Sequence, residues 1–85
     1  MPKNHFKKIR IQYYASLREA CGVGEEFITT HARSPKQLFR DIKKRHHIHM
    51  ASDSLKVAIN NEFSSWDTLL KSGDTVIFIP PVAGG

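Results

Sequence analysis

The sequence predicts an α+β fold in which one main helix packs on a mixed sheet of about five strands. Several short segments alternate apolar and polar residues or consist of β-branched residues, which is typical of strands. A single longer segment, after Ser34, carries apolar residues at helical spacing. The length of 85 residues allows one domain with one modest core.

The first hairpin follows a loose basic leader, residues 1–6. Isoleucine and tyrosine alternate with polar residues from Lys7, so we expect Ile9, Ile11 and Tyr13 to face the core. A short helical turn, 16–21, is expected to end at Gly22, and a second strand, 26–30, to return antiparallel to the first.

The main helix has a recognisable start. Ser34 can accept from the backbone N–H of Gln37, and the Gln37 side chain can reach back to the N–H of Ser34. Pro35 fits the first helical position, where a missing donor costs nothing. Leu38, Phe39 and Ile42 form the apolar stripe, and basic residues 43–45 suit the negative end of the helix dipole.

The second half predicts three more strands after a loop at 47–54. The strands are expected at 55–59, 62–64 and 75–79, joined by a tight turn at Asn60-Asn61 and a turn at 72–74. Leu69 and Leu70 are expected to plug the core beneath a loop, and Trp66 to anchor that loop. The prolines at 80–81 end the last strand.

The element order β-β-α-β-β-β indicates a β-grasp. With the helix across one face, the first and last strands can lie side by side and parallel in the centre of the sheet. We therefore expect a β-grasp domain at 7–80 and a flexible, extended C-terminal tail at 81–85.

The C-terminal segment is the most unusual chemical feature. Two prolines force an extended exit, and the last four residues can span up to about 14 Å. Gly84 and Gly85 lack a Cβ, so the terminal carboxylate can enter a channel too narrow for other residues. The alternative is a frayed terminus without function.

A second feature is apolar character on both faces of the last strand. If the first strand is its neighbour, Tyr14, Ile77 and Ile79 form one exposed patch that Phe63 extends. We expect this patch to dock a partner; the alternative is that a loop of the same chain covers it.

Composition narrows the function classes. Hydrophobic residues make up 40 % and charged residues 25 %, which are ordinary globular values. No apolar run reaches the roughly 20 residues that span a membrane, and no secretory signal is apparent, so we expect a cytoplasmic protein without membrane contact. The single cysteine excludes an internal disulfide. The net charge of +5 suits an acidic or phosphorylated partner or nucleic acid, without choosing among them.

Other candidate sites have simpler explanations. The histidines 46, 47 and 49 match no tetrahedral metal scheme, so we expect a solvated helix end and no metal site. Cys21 is expected to pack as a small hydrophobic residue. The basic helix residues could meet phosphates, yet no aromatic stacking platform lies among them, so we expect a solvated face and no nucleic-acid partner; they are Lys36, Arg40, Lys43, Lys44 and Arg45.

The element order and the C-terminal segment resemble those of a known protein family. The element order with a free Gly84-Gly85 end resembles the ubiquitin-like sulfur carriers. The segment 72–74, the apolar strand after it and the ending Pro-Pro-Val-Ala-Gly-Gly resemble the small subunits of molybdopterin synthase, of the MoaD type within the MoaD/ThiS family. The opening 11–19 is similar to the first strand and turn of that family, and the match spans 8–85.

The resemblance implies a mechanism with no stably bound cofactor. An adenylyltransferase of the MoeB type, similar to ubiquitin-activating enzymes, would use ATP to adenylate Gly85, and a sulfur donor would convert the adenylate to a thiocarboxylate. The carrier would then dock on a MoaE-type large subunit, two small with two large subunits. There its sulfur would pass to cyclic pyranopterin monophosphate, and catalytic groups would belong to the large subunit.

The resemblance also assigns residues. Gly85 would carry the adenylate and then the sulfur. Pro81, Val82, Ala83 and Gly84 would thread the partner channels. The partner interface would be formed by Tyr14, Arg18, Phe63, Ile77 and Ile79, with Arg18 meeting an acidic residue. A protein modifier conjugated through Gly85, and a sulfur carrier for thiazole synthesis, remain the alternatives.

Overall fold

A computed structural model describes residues 6–80, and its elements follow the predicted order with small changes in their bounds. The strands are β1 (Lys7–Tyr13), β2 (Glu25–Thr30), β3 (Lys56–Ile59), β4 (Glu62–Ser64) and β5 (Thr75–Ile79). The helices are α1 (Ala15–Cys21) and α2 (Pro35–His46), and a short 3-10 turn occupies Ser52–Ser54. That turn lies inside the segment 47–54, for which the sequence predicted only a loop.

The sheet has the order β2-β1-β5-β3-β4, with β1 and β5 parallel and the other neighbours antiparallel. Ile11 lies opposite Val76 and Gln12 opposite Ile77 in the central parallel pair. The predicted central pairing is thus confirmed, and with it the β-grasp fold.

The core fills the space between one face of the sheet and α2. Ile9, Ile11 and Tyr13 are at most 1 % exposed, so the predicted inward face of β1 is confirmed. Phe39 of α2 packs on Phe78 of β5 with ring centroids 5.1 Å apart. Trp66 stacks on Phe78 at 5.7 Å and is the partly buried loop anchor that the sequence predicted.

The connections use the expected turn residues. Gly22 ends α1 at φ 79°, a left-handed conformation that suits a residue without a Cβ. Asn60 and Asn61 turn β3 into β4 at φ 52° and 72°, which confirms the predicted tight turn.

Two local predictions are wrong. Ser34 accepts from the backbone N–H of Gln37 at 3.3 Å as expected. The Gln37 side chain, however, accepts from the N–H of Arg33 at 2.9 Å and not from that of Ser34, because Arg33 also lies before the helix.

Leu70 is buried in the core, whereas Leu69 is 73 % exposed, since adjacent residues of an extended loop point in opposite directions.

Of the predicted basic leader, the structure describes only Phe6. Residues 1–5 of the predicted leader lie outside the described residues, while the ring of Phe6 stacks on that of His31 with centroids 3.8 Å apart. Between residues 6 and 80, neither helix has the length and apolar character needed to cross a membrane.

Candidate docking face at the end of the central strands

The parallel pairing of β1 and β5 brings the ends of both strands together. Tyr13 lies opposite Phe78. Tyr14 continues the strand direction with extended backbone, φ −129° and ψ 155°, so it stands in line with Ile79, the residue after Phe78. The chain leaves the sheet here. The predicted tail residues, Pro81, Val82, Ala83, Gly84 and Gly85, lie outside the described residues.

Tyr14 and Arg18 line one groove at this end of the sheet, with a volume of about 390 Å³. A Cβ added at Gly24 would lie 3.4 Å from Nε of Arg18, so the guanidinium rests against the glycine backbone. Arg10 in the same groove is paired with Glu25 at 2.6 Å. Arg18 has no carboxylate within ion-pair distance in the part of the chain that the structure describes, which leaves its charge available to a partner.

The face of the sheet opposite α2 carries an in-register row across the central strands. Gln12 lies beside Ile77, Ile77 beside Ala58, and Ala58 beside Phe63. Phe63 is 74 % exposed at the β4 edge. The row therefore connects Ile77 to Phe63 through the small side chain of Ala58. The sequence predicted that Ile77 and Phe63 belong to one patch.

The predicted exposure of Ile77 is wrong. Ile77 is only 9 % exposed, because a central strand has in-register neighbours on both sides. Ile79 is half-buried and lies opposite Lys56. Of the predicted patch, Tyr14, Ile79 and Phe63 are therefore the accessible apolar side chains, and Ile77 is buried.

Phe63 also borders a cleft of about 480 Å³ at the β4 edge. Its other lining residues are mainly apolar and come from β3, β4 and the loop after β4: Leu55, Lys56, Val57, Ser64 and Trp66. An apolar side chain of a partner can fit here, with Lys56 as a charged neighbour.

Sequence reasoning missed Phe27, which is 73 % exposed on β2. It lies opposite Arg10, whose guanidinium carbon is 6.0 Å from the ring centroid. The signal was present in the period-two pattern, since Ile28 and Thr30 point inward and Phe27 must then point outward. Phe27 extends the aromatic character of the open face to its other edge.

A partly buried polar cluster on the opposite face was also missed. Oε2 of Glu26 accepts from the Tyr13 hydroxyl at 2.5 Å and lies 2.6 Å from Nε2 of His46. The predicted solvated position of His46 is wrong, because its side chain is only 18 % exposed. Burial alone would raise the pKa of Glu26, but its hydrogen bonds with the Tyr13 hydroxyl and His46, and the nearby guanidinium of Arg45, outweigh burial and lower it.

Cys21 lies beside this cluster and is unsuited to nucleophilic chemistry. Burial, and to a lesser degree the charge of Glu26, raise its pKa to about 11. Burial also raises the pKa of Tyr13. The thiol packs against the core, as the sequence predicted.

Residues 6–80 contain no group of three or more His, Cys, Asp or Glu side chains arranged to hold a metal ion. The open face offers apolar side chains and the guanidinium of Arg18 as contacts for a partner.

Comparison with known proteins agrees with this geometry. The model of the ThiS family matches residues 11–85, nearly the whole chain. The chain belongs to the ThiS family. Since the family comprises ubiquitin-like sulfur carriers of the ThiS/MoaD type, the predicted family and fold are both confirmed.

Several solved structures resemble this chain. A putative molybdopterin converting factor, subunit 1, from Pyrococcus furiosus is 34 % identical, with a TM-score of 0.73 over 89 % of this chain and 99 % of that one. Small archaeal modifier protein 1 from Methanosarcina acetivorans has a TM-score of 0.78 at 22 % identity, covering 96 % and 100 %. The Helicobacter pylori complex of subunits 1 and 2 of molybdopterin-converting factor matches at 0.64 and 22 %, covering 92 % and 99 %. The last two likenesses show the fold alone.

Proposed function

We propose that this chain is the sulfur-carrier subunit of a molybdopterin synthase and donates sulfur from a thiocarboxylate on Gly85. The observation that carries the proposal is the 34 % identity to the Pyrococcus furiosus converting factor subunit over nearly the whole length of both chains. The solved modifier protein is 22 % identical and shows only that the fold is shared.

Activation begins at the terminal carboxylate of Gly85. A carboxylate is a poor electrophile, so an adenylyltransferase of the MoeB type attaches AMP from ATP and releases pyrophosphate. A hydrosulfide equivalent then attacks the acyl carbon, the C–O bond to AMP breaks, and a thiocarboxylate results. Gly84 and Gly85 suit this step because an unbranched chain end can enter a narrow site.

Sulfur transfer takes place on a MoaE-type large subunit, to which the open face docks. Tyr14, Ile79 and Phe63 supply apolar contact, and Arg18 meets an acidic residue of the partner. Ile77 is only 9 % exposed and adds little contact area. Residues 81–85 reach into the large subunit, where cyclic pyranopterin monophosphate accepts two sulfurs from successive carriers.

The assembly that we propose contains two carriers and two large subunits in the cytoplasm. The carrier holds no cofactor of its own, and ATP is consumed by the activating enzyme. Acid–base groups belong to the large subunit, which agrees with the unreactive state of Cys21 in the carrier.

Reconstitution tests the proposal. The purified chain is incubated with a MoeB-type enzyme, ATP and sulfide, then added to a MoaE-type subunit with cyclic pyranopterin monophosphate. We expect molybdopterin to form in an amount proportional to the carrier added, and none to form with a control chain that lacks Gly85. Failure of the intact, thiocarboxylated chain to yield molybdopterin would refute this function.

The alternatives give different products. A modifier would form conjugates with lysine side chains that disappear when Gly85 is deleted, without an effect on molybdenum cofactor. A thiazole-pathway carrier would restore thiamine synthesis in a strain lacking its own carrier. Either result, without rescue of molybdoenzyme activity, would contradict the molybdopterin role.

A further inference from the structure

The outer face of α2 brings three cations together. Lys36, Arg40 and Lys43 are spaced by four and three residues, so they share one side of the helix. With Ser52 of the 3-10 turn they line a cleft of about 120 Å³ whose floor is the ring of Phe39, itself 1 % exposed.

No carboxylate neutralises these cations in the described part of the chain. Glu25 is paired with Arg10, and Glu26 with Arg45 and His46. Asp41 accepts from the hydroxyl of Thr30 at 3.3 Å, on another side of the helix. Asp53 is exposed beside Ser52 and forms no ion pair with another residue of 6–80. The cleft thus concentrates positive charge.

The donors around the cleft have defined positions. Nζ of Lys43 lies 5.7 Å from the Phe39 ring centroid, a cation–π contact that holds the ammonium over the floor. The Ser52 hydroxyl has no hydrogen-bond partner within residues 6–80, so it is available to a ligand. Arg40 adds a planar guanidinium, which suits two oxygens of one oxyanion.

We propose that this cleft binds a phosphate group. Its volume of about 120 Å³ is well above the roughly 10–15 Å³ that one water needs, so the cleft has room for a tetrahedral group of five heavy atoms. Three cations and one hydroxyl complement the charge and the oxygen acceptors of such a group. The ligand is either inorganic pyrophosphate or the phosphate chain of a nucleotide, and both present the same chemistry.

The cleft lies on the helix side of the sheet, whereas Tyr14, Phe63 and Phe27 belong to the open face. Phosphate binding is therefore independent of the proposed function and of the docking of a large subunit. The cleft therefore stays accessible when a partner covers the open face.

The test measures binding to the full-length chain by calorimetry and by backbone amide shifts in NMR. Inorganic pyrophosphate and ADP are titrated without metal ions at constant ionic strength, with chloride as a reference. The test variant is Lys36→Gln with Arg40→Gln. The control is Lys44→Gln with Lys71→Gln, which removes the same charge from exposed positions outside the cleft.

We expect saturable binding, with the largest shifts around Lys36, Arg40, Lys43 and Ser52. Affinity should fall about tenfold or more in the test variant and less than twofold in the control. Equal affinity for pyrophosphate and ADP would identify the phosphate group alone as the ligand, and tighter ADP binding would identify a nucleotide. Equal losses in both variants, or shifts that never saturate, would overturn the proposal. Single-stranded RNA is titrated in the same way. Tight RNA binding that the test variant and the control weaken equally would also overturn the proposal.

Discussion

The Tyr13 hydroxyl lies 2.5 Å from Oε2 of Glu26, and the same oxygen lies 2.6 Å from Nε2 of His46. This shared carboxylate joins the central strand β1, the edge strand β2 and the last turn of α2. The side chain of Glu26 is only 16 % exposed, so its partners are poorly replaced by water.

The Glu26→Gln variant should destabilise the fold by about 1–3 kcal/mol at pH 7, because it removes a charge that His46 and Arg45 face. Glu25→Gln is the matched control, since the Glu25–Arg10 pair has side chains 44 % and 42 % exposed and should contribute less than about 1 kcal/mol. Urea denaturation measures both. Equal stability of the two variants would show that the cluster is not important for stability.

The same carboxylate predicts acid sensitivity. Its pKa in the folded chain is lowered, so its stabilising contribution is present above the unfolded value of about 4.3 and is lost as the pH falls through the folded value. The stability difference between the native chain and Glu26→Gln should therefore shrink below about pH 4. A difference that stays constant between pH 7 and pH 3 would contradict the lowered pKa.

Phe63→Ala should weaken the complex with a MoaE-type subunit about tenfold or more, since an exposed aromatic side chain at an interface contributes much of the binding energy. Its effect on the free energy of unfolding should be within about 0.5 kcal/mol, because Phe63 is 74 % exposed. Leu69→Ala, at 73 % exposure in the loop between β4 and β5, is the control and should bind normally. Calorimetry with unchanged affinity for Phe63→Ala would show that the docking face is elsewhere.

Ile79→Lys should weaken the same complex, since it places a charge in an apolar contact. Ile77→Lys should instead lower the free energy of unfolding, because Ile77 is 9 % exposed and its charge would be poorly solvated. Thermal unfolding and binding, measured together, separate the two effects. A folded, stable Ile77→Lys chain would contradict the assigned burial.

Cys21→Ser should accept sulfur to the same extent as the native chain, because the pKa of the thiol is raised to about 11 and almost no thiolate exists at pH 7. Alkylation by iodoacetamide should be slower than for free cysteine. Loss of sulfur loading in Cys21→Ser, with the fold intact, would assign the carrier role to the thiol.

The sequence predicted the features that depend on local pattern. Alternation placed Ile9, Ile11 and Tyr13 in the core, and the paired asparagines placed the turn after β3. The β-grasp interpretation of the element order predicted that β1 and β5 are central neighbours, since a helix packed across one face allows the first and last strands to lie side by side.

Features that depend on distant contacts were not predictable in this way. His46 pairs with Glu26 across 20 positions of sequence, which no periodicity reveals. The burial of Ile77 depends on how closely Gln12 and Ala58 flank it, and the different positions of Leu69 and Leu70 depend on the path of a loop. The proposed phosphate cleft likewise needed Ser52 and Phe39 in place beside the helix cations.

The central claim is that the carboxylate of Gly85 is the sulfur-bearing group. Intact-mass analysis with fragmentation, after incubation with the activating enzyme, ATP and sulfide, tests it most directly. We expect one oxygen-to-sulfur exchange, located on Gly85, and no exchange in a chain with one alanine fused behind Gly85. Sulfur found on Cys21, or an extended chain that still accepts sulfur, would contradict the account.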